Sequence, residues 1–143
     1  MEKGIKIVNS AQELTPFNRL APKMGVLLVE DHEELRELGR EYLLSIGLDV
    51  MVARNGKEAL QLAVCRKYDL ILMDLQMPVL GGFEALPKLR ASQGKTPIIA
   101  MTGRSSYEER IECLKAGFND VLTKPYLLNE LTSIIEKYRP HED

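Results

Sequence analysis

LILMDLQMPVLGG, Leu70 to Gly82, is the stretch on which the reading of this chain turns. Its first four residues form an apolar run without polar alternation, the pattern of a strand covered on both faces. The run stops at a carboxylate, Asp74. It then enters a turn containing Pro78, Gly81 and Gly82, where the backbone can approach a ligand closely. A buried strand that ends in an acid and a glycine turn places Asp74 at the carboxyl edge of a sheet. Open α/β folds gather their function there.

Working outward, the same kind of run recurs at Val26 to Val29, Val50 to Ala53, Ile98 to Met101 and Val121 to Leu122. Helix-period stripes lie after them. Leu35, Leu38, Tyr42, Leu43 and Ile46 form the first, and Ala59, Leu60, Ala63 and Val64 form the second behind a cap at Asn55. Phe83, Leu86 and Leu89 mark the third, in which Pro87 removes a backbone donor and predicts a kink or loosened turn. The fourth opens with Ser105 and Glu108 at capping-box spacing, continues through Ile111 and Leu114 and stops at Gly117. The fifth uses Leu128, Leu131, Ile134, Ile135 and Tyr138. Five strands alternating with five helices predict a doubly wound α/β fold, a parallel sheet with helices on both faces.

The whole chain has 143 residues, 45% hydrophobic and 28% charged, with 19 basic and 21 acidic residues for a net charge of −2. That is one domain with a real core. It excludes a disordered or collagen-like chain, and it excludes a domain that grips nucleic acid by phosphate charge alone. No apolar run approaches the roughly 20 residues that span a bilayer. The N-terminus lacks the order of a secretory signal, and Cys65 and Cys113 have no metal-ligand spacing. A cytoplasmic protein with reduced, buried or half-buried thiols is expected. Residues 1–23 carry four basic and two acidic residues and no sustained periodicity, so they read as an extension or linker with one short strand at Ile5 to Val8. Residues 24–138 are the domain, and 139–143, with His141, a flexible tail.

The strand ends carry the chemistry. The first ends in Glu30 and Asp31, the third in Asp74, the fourth in Thr102, and the fifth in Thr123, Lys124 and Pro125. Each alone reads as a cap or a polar loop. Together they bring three carboxylates, a hydroxyl and an ammonium to one edge. Crowded carboxylates call for a cation, and Mg²⁺ suits hard oxygen ligands. Glu30 and Asp31 are neighbours on an extended backbone, so one suits direct ligation and the other a water-mediated role. The metal and Lys124 would neutralise a phosphoryl group, Thr102 would donate to one of its oxygens, and a carboxylate, Asp74, would attack phosphorus. His32 reads as a solvent-facing first-turn residue, and Met73, Met77 and Met101 as packing around the site.

The motifs LLVED (Glu30, Asp31), LILMDLQMP (Asp74), IIAMTG (Thr102) and LTKP (Lys124, Pro125) fall in order at separations of 43, 28 and 22 residues. Residues 24–138 thereby resemble the receiver domain of two-component response regulators. The stretch LMDLQMPVLGGFEAL is similar to the receivers of hybrid histidine kinases. The resemblance implies a flavodoxin-like sheet of order 2-1-3-4-5, with Asp74 as phosphoacceptor and Mg²⁺ at Glu30, Asp31 and Asp74. It also implies the backbone carbonyl of Gln76 as a further ligand, a mobile Thr102, a pairing Lys124 and a cis Lys124–Pro125 bond. Its partners would be a histidine kinase or a histidine-phosphotransfer domain, docking on the first helix at Leu35 and Leu38. A homodimer through the fourth helix, fifth strand and fifth helix is a further implied state, with no direct nucleic-acid contact. Both a fragment of a larger sensor kinase and a stand-alone receiver with an extended N-terminus fit.

Three departures stand out. Val121 occupies the place of the family's aromatic switch, Gly81-Gly82 replaces Asp-Gly, and Gln76 and Arg104 stand where acyl-phosphate lifetime is tuned. Rival readings are a Mg²⁺-dependent aspartyl phosphatase, a nucleotide or flavin binder, and a receiver used only for binding. The first needs a second aspartate where Gln76 stands. The second needs a Gly-rich loop where Asp31 to Glu34 stand. The third is opposed by the complete set of acids, Thr102 and Lys124, though Val121 keeps it open.

Overall fold

Strands and helices alternate through the chain in the computed structural model of the protein, which describes residues 23–104 and 106–141. The expected strand at Ile5 to Val8, the rest of segment 1–22, Ser105 and the last two tail residues lie outside the described residues. In order come β1 (Gly25–Val29), α1 (Glu33–Ser45), β2 (Asp49–Ala53), α2 (Gly56–Ala63) and β3 (Leu70–Asp74). They are followed by α3 (Gly82–Gln93), β4 (Ile98–Thr102), α4 (Tyr107–Ala116), β5 (Asp120–Thr123) and α5 (Leu128–Tyr138). All strand pairs are parallel and the sheet order is β2-β1-β3-β4-β5, as the resemblance implies. Among the described residues no helix is long and apolar enough to cross a membrane.

The apolar runs of β1, β3 and β4 are buried at every position because both faces are covered. Alternation along each strand divides them between two cores. Leu27, Val29, Ile71, Met73, Ile98 and Ala100 face one way, against Ala59 and Ala63 of α2, Leu86 and Leu89 of α3 and Cys113 of α4. Val26, Leu28, Leu70, Leu72, Ile99 and Met101 face the other, against Leu43 of α1 and Leu131 and Ile135 of α5. Edge strand β2, covered less, alternates exposed and half-buried residues.

Several local details differ from expectation. Helix α4 is capped by Ser106, whose Oγ accepts from Glu109 N, one residue beyond the expected Ser105–Glu108 pair. Its buried residue is Cys113, while Leu114 is exposed. Cys65 is exposed, because α2 ends before it. His32, solvent-facing as expected, is the N-cap of α1 rather than a first-turn residue, with Nδ1 accepting from Leu35 N at 3.4 Å. Leu35 and Leu38 are exposed, so α1 packs through Gly39 and Leu43. Helix α3 runs unbroken through Pro87, which lies on the exposed side where water can serve the carbonyl left without a donor. Asn55 caps α2 through Glu58 N at 2.9 Å, and the Lys124–Pro125 bond is cis, both as expected.

Candidate functional site

Strands β1 and β3 are neighbours whose following helices, α1 and α3, lie on opposite faces of the sheet. Their carboxyl ends therefore open a crevice at the point where the strand order reverses. Glu30 extends β1 by one residue, held by its N–H to Ala53 O at 3.0 Å. Asp74 is the last residue of β3. Both side chains are nearly fully buried, whereas Asp31 is exposed at the rim. One carboxylate oxygen from each of Glu30, Asp31 and Asp74 lies within 4.8 Å of the others.

Lys124 enters from the far side of the sheet. Its backbone N–H donates to Thr102 O at 2.7 Å, which fixes the lysine at the end of β5 beside β4. Its Nζ reaches Glu30 Oε1 at 2.8 Å and Asp74 Oδ2 at 3.1 Å. The remaining carboxylate oxygens are served by backbone: Glu30 Oε2 accepts from His32 N at 3.1 Å, and Asp74 Oδ1 from Gln76 N at 3.0 Å. Thr102 is buried at the end of β4, its Oγ1 accepting from Arg104 N at 3.0 Å. The three carboxylates and Lys124 singled out in the sequence thus converge on one crevice, and Thr102 lines the cleft beside it. Arg36 was not singled out. Its guanidinium donates to Glu30 O at 3.0 Å and Asp31 O at 3.3 Å, closing the first loop, and nothing in the pattern of α1 separates it from other surface arginines.

The loop from Asp74 to α3 is held close by two glycines. A Cβ on Gly82 would sit 2.9 Å from Asp74 O, and one on Gly56 only 2.4 Å from Leu80 O, so larger residues there would displace the loop that carries Gln76. Val79, at the loop's exposed tip, has φ +76, a left-handed conformation that its branched Cβ disfavours.

The electrostatics are unbalanced. Three carboxylates face one ammonium, and Asp74 is pushed up to about 6, chiefly by burial, with Glu30 adding repulsion against the Gln76 N–H and Lys124. Burial pulls Lys124 down, but its bonds to Glu30 and Asp74 outweigh that and hold it above the usual lysine range. A compact set of hard oxygen donors carrying two uncompensated negative charges fits a divalent cation of the Mg²⁺ type. The crevice is flanked on one side by an apolar groove of about 370 Å³ lined by Leu35, Leu38, Tyr42, Pro125, Tyr126 and Leu128. On the other side is a cleft of about 240 Å³ that includes Gln76, Phe83, Thr102, Arg104 and Glu109.

Comparison with known proteins agrees with this architecture. The profile of the response regulator receiver domain matches residues 26–136. Transcription factor SKN7 of Candida albicans is 38% identical over 141 residues, covering 95% of this chain and 25% of that protein. Response regulator MprA of Mycobacterium avium is 35% identical over 124 residues, covering 84% and 54%. Across the relatives cited and the SKN7 of Saccharomyces cerevisiae, the chain spans between 18% and 54% of their length.

Among solved structures, the receiver domain of the sensor histidine kinase PA1611 from Pseudomonas aeruginosa superposes with a TM-score of 0.74 at 37% identity, covering 82% of this chain and 98% of that one. That receiver has a magnesium ion coordinated in its active-site cleft. The receiver domain of Ssk1 from Saccharomyces cerevisiae, solved with the histidine phosphotransfer protein Ypd1, gives a TM-score of 0.76 at 33% identity, covering 82% and 89%. The matched stretch runs from β1 into α5 and contains all four strand-end motifs, so the chain belongs to the response regulator receiver domain family of two-component signalling.

Proposed function

We propose that Asp74 takes a phosphoryl group from a phosphohistidine, and that the product switches how this module binds other proteins. The observation that carries the reading is the buried Asp74 carboxylate at the end of β3, 3.1 Å from Lys124 Nζ and grouped with Glu30 and Asp31. Mg²⁺ held by Glu30, Asp31, Asp74 and the backbone carbonyl of Gln76 would supply charge neutralisation at the phosphoryl oxygens. An Asp74 oxygen attacks phosphorus, a P–O bond forms, and the P–N bond to the donor histidine breaks. Lys124 neutralises charge on the acceptor side, and the Thr102 hydroxyl, near the same edge, donates to a phosphoryl oxygen. With its carboxyl held up to about 6, Asp74 is still mostly the nucleophilic carboxylate at pH 7. Water later attacks the same phosphorus, returning the carboxylate and releasing inorganic phosphate.

The apolar groove beside Glu30 and Lys124 supports α1 as the docking face for a histidine-bearing helix bundle, with exposed Leu35 and Leu38 as anchors. An intracellular setting is part of the same proposal. Incubation with acetyl phosphate and Mg²⁺, followed by intact mass measurement, tests the proposal. Wild type is expected to gain one phosphoryl group and Asp74→Asn none; an equal gain in both, or none in wild type, refutes it.

A further inference from the structure

We propose that Arg104 relays the phosphorylated state of Asp74 to helix α4 by exchanging its partner Glu109 for the phosphoryl group; the inference rests on Asp74 being the phosphoacceptor. Its starting point is Val121, small and buried in β5 where the resemblance places an aromatic switch, so that position offers no ring to carry a change at Thr102 to the surface. One residue touches both ends of such a route. The Arg104 N–H donates to Thr102 Oγ1 at 3.0 Å, and Arg104 Nη1 lies 3.6 Å from Glu109 Oε2. Glu109 belongs to the first turn of α4. Its N–H donates to Ser106 Oγ at 3.2 Å, and its Oε1 accepts from the same hydroxyl at 2.8 Å. Arg104, Ser106 and Glu109 form a clasp at the start of α4, and Arg104 and Glu109 line the cleft that also holds Thr102 and Gln76.

The clasp is built to yield. At 3.6 Å the pair lacks a hydrogen bond, and the Arg104 side chain is 70% exposed, so solvent screens it. A phosphoryl group brings close to two negative charges and three acceptor oxygens, and a guanidinium binds such a group in fork geometry better than a single distant carboxylate. Thr102, turning its hydroxyl toward the phosphoryl oxygens, releases the Arg104 N–H at the same time. Both changes draw Arg104 away from α4. Glu109 then keeps only Ser106, and the first turn of the helix loosens.

Hydrogen exchange at the amides of Glu109 to Ile111 reads this directly, with acetyl phosphate and Mg²⁺ as the phosphodonor mixture and intact mass reporting occupancy of Asp74. Arg110 N, bonded to Ser106 O at 3.0 Å, is the most informative of them. In wild type, phosphorylation is expected to speed exchange there several-fold. In Arg104→Ala and Glu109→Gln, exchange is expected to be fast already and unchanged by phosphorylation, with Arg104→Lys intermediate. A phosphorylated wild type with unaltered exchange, or an Arg104→Ala variant that responds as wild type does, overturns the relay alone. Absence of any mass increment in wild type overturns the phosphoacceptor reading and the relay together.

Discussion

At the amino ends of the strands, Gln93 is 2% exposed and every polar atom of its side chain serves the backbone. Oε1 accepts from Tyr68 N at 2.9 Å, and Nε2 donates to Ala63 O and Arg66 O, each at 2.8 Å. Arg90 does the same nearby, donating to the carbonyls of Gly94, Thr96 and Gly117 and to Asn119 Oδ1, which in turn accepts from Ile98 N. At the carboxyl ends, Glu30 and Asp74 are as buried as Gln93, yet they face each other across one lysine. One edge uses buried polarity to close loops, with the Tyr68 hydroxyl its one buried side-chain atom left without a partner among the described residues. The other gathers like charges that the protein alone does not balance. Buried polar groups stabilise where their partners are backbone, and cost stability where they face like charge.

The largest expected effect comes from breaking the satisfied edge. Gln93→Ala leaves two buried backbone groups and one half-buried one without partners and is expected to lower stability by about 3 kcal/mol, allowing for local relaxation. Urea unfolding measures it, and the folded variant should still accept phosphate. A variant as stable as wild type would contradict the assignment of Gln93 to structure.

The unsatisfied edge behaves oppositely. Asp74 has its carboxyl raised to about 6 in the folded protein against an ordinary 3.8. The folded state therefore binds the proton more tightly than the unfolded chain between those values. Stability is highest below about pH 4 on this group's account, falls as pH rises through about 6, and is flat above. The loss is at most about 3 kcal/mol, the full shift at about 1.4 kcal/mol per pH unit. Asp74→Asn is expected to erase that slope in urea midpoints taken from pH 4 to pH 7 and to be more stable than wild type at pH 7. A slope that persists in the variant would place the strain elsewhere.

How far the two edges were legible in the sequence follows from how local their signals are. Buried runs such as Leu70 to Met73 and the acids and lysine at the strand ends are contiguous or fall at strand termini, so pattern and chemistry locate them. Gln93 and Arg90 bind loops about 25 to 30 positions away, and nothing in α3 distinguishes them from surface residues. The α4 cap fell one residue off because Ser105–Glu108 and Ser106–Glu109 have the same spacing, and only the backbone chooses between them. Leu35 and Leu38 fit a core stripe by period alone. Their exposure depends on how far α1 stands from α5, a tertiary property.

The smallest expected effect lies in the loop that joins Asp74 to α3. Val79 holds a left-handed φ that Asn tolerates far better, so Val79→Asn is expected to raise stability by about 1 kcal/mol, read as a shift in the urea midpoint. A loss instead would show that the exposed Val79 side chain makes a contact worth more than the strain.

The carboxyl-end crevice offers three carboxylates, Glu30, Asp31 and Asp74, and one of them is expected to take the phosphoryl group. Acetyl phosphate and Mg²⁺ treatment, borohydride reduction of the acyl phosphate and peptide mapping identify that residue. The account predicts modification at Asp74 alone. Modification at Glu30 or Asp31, or at none of the three, would contradict it.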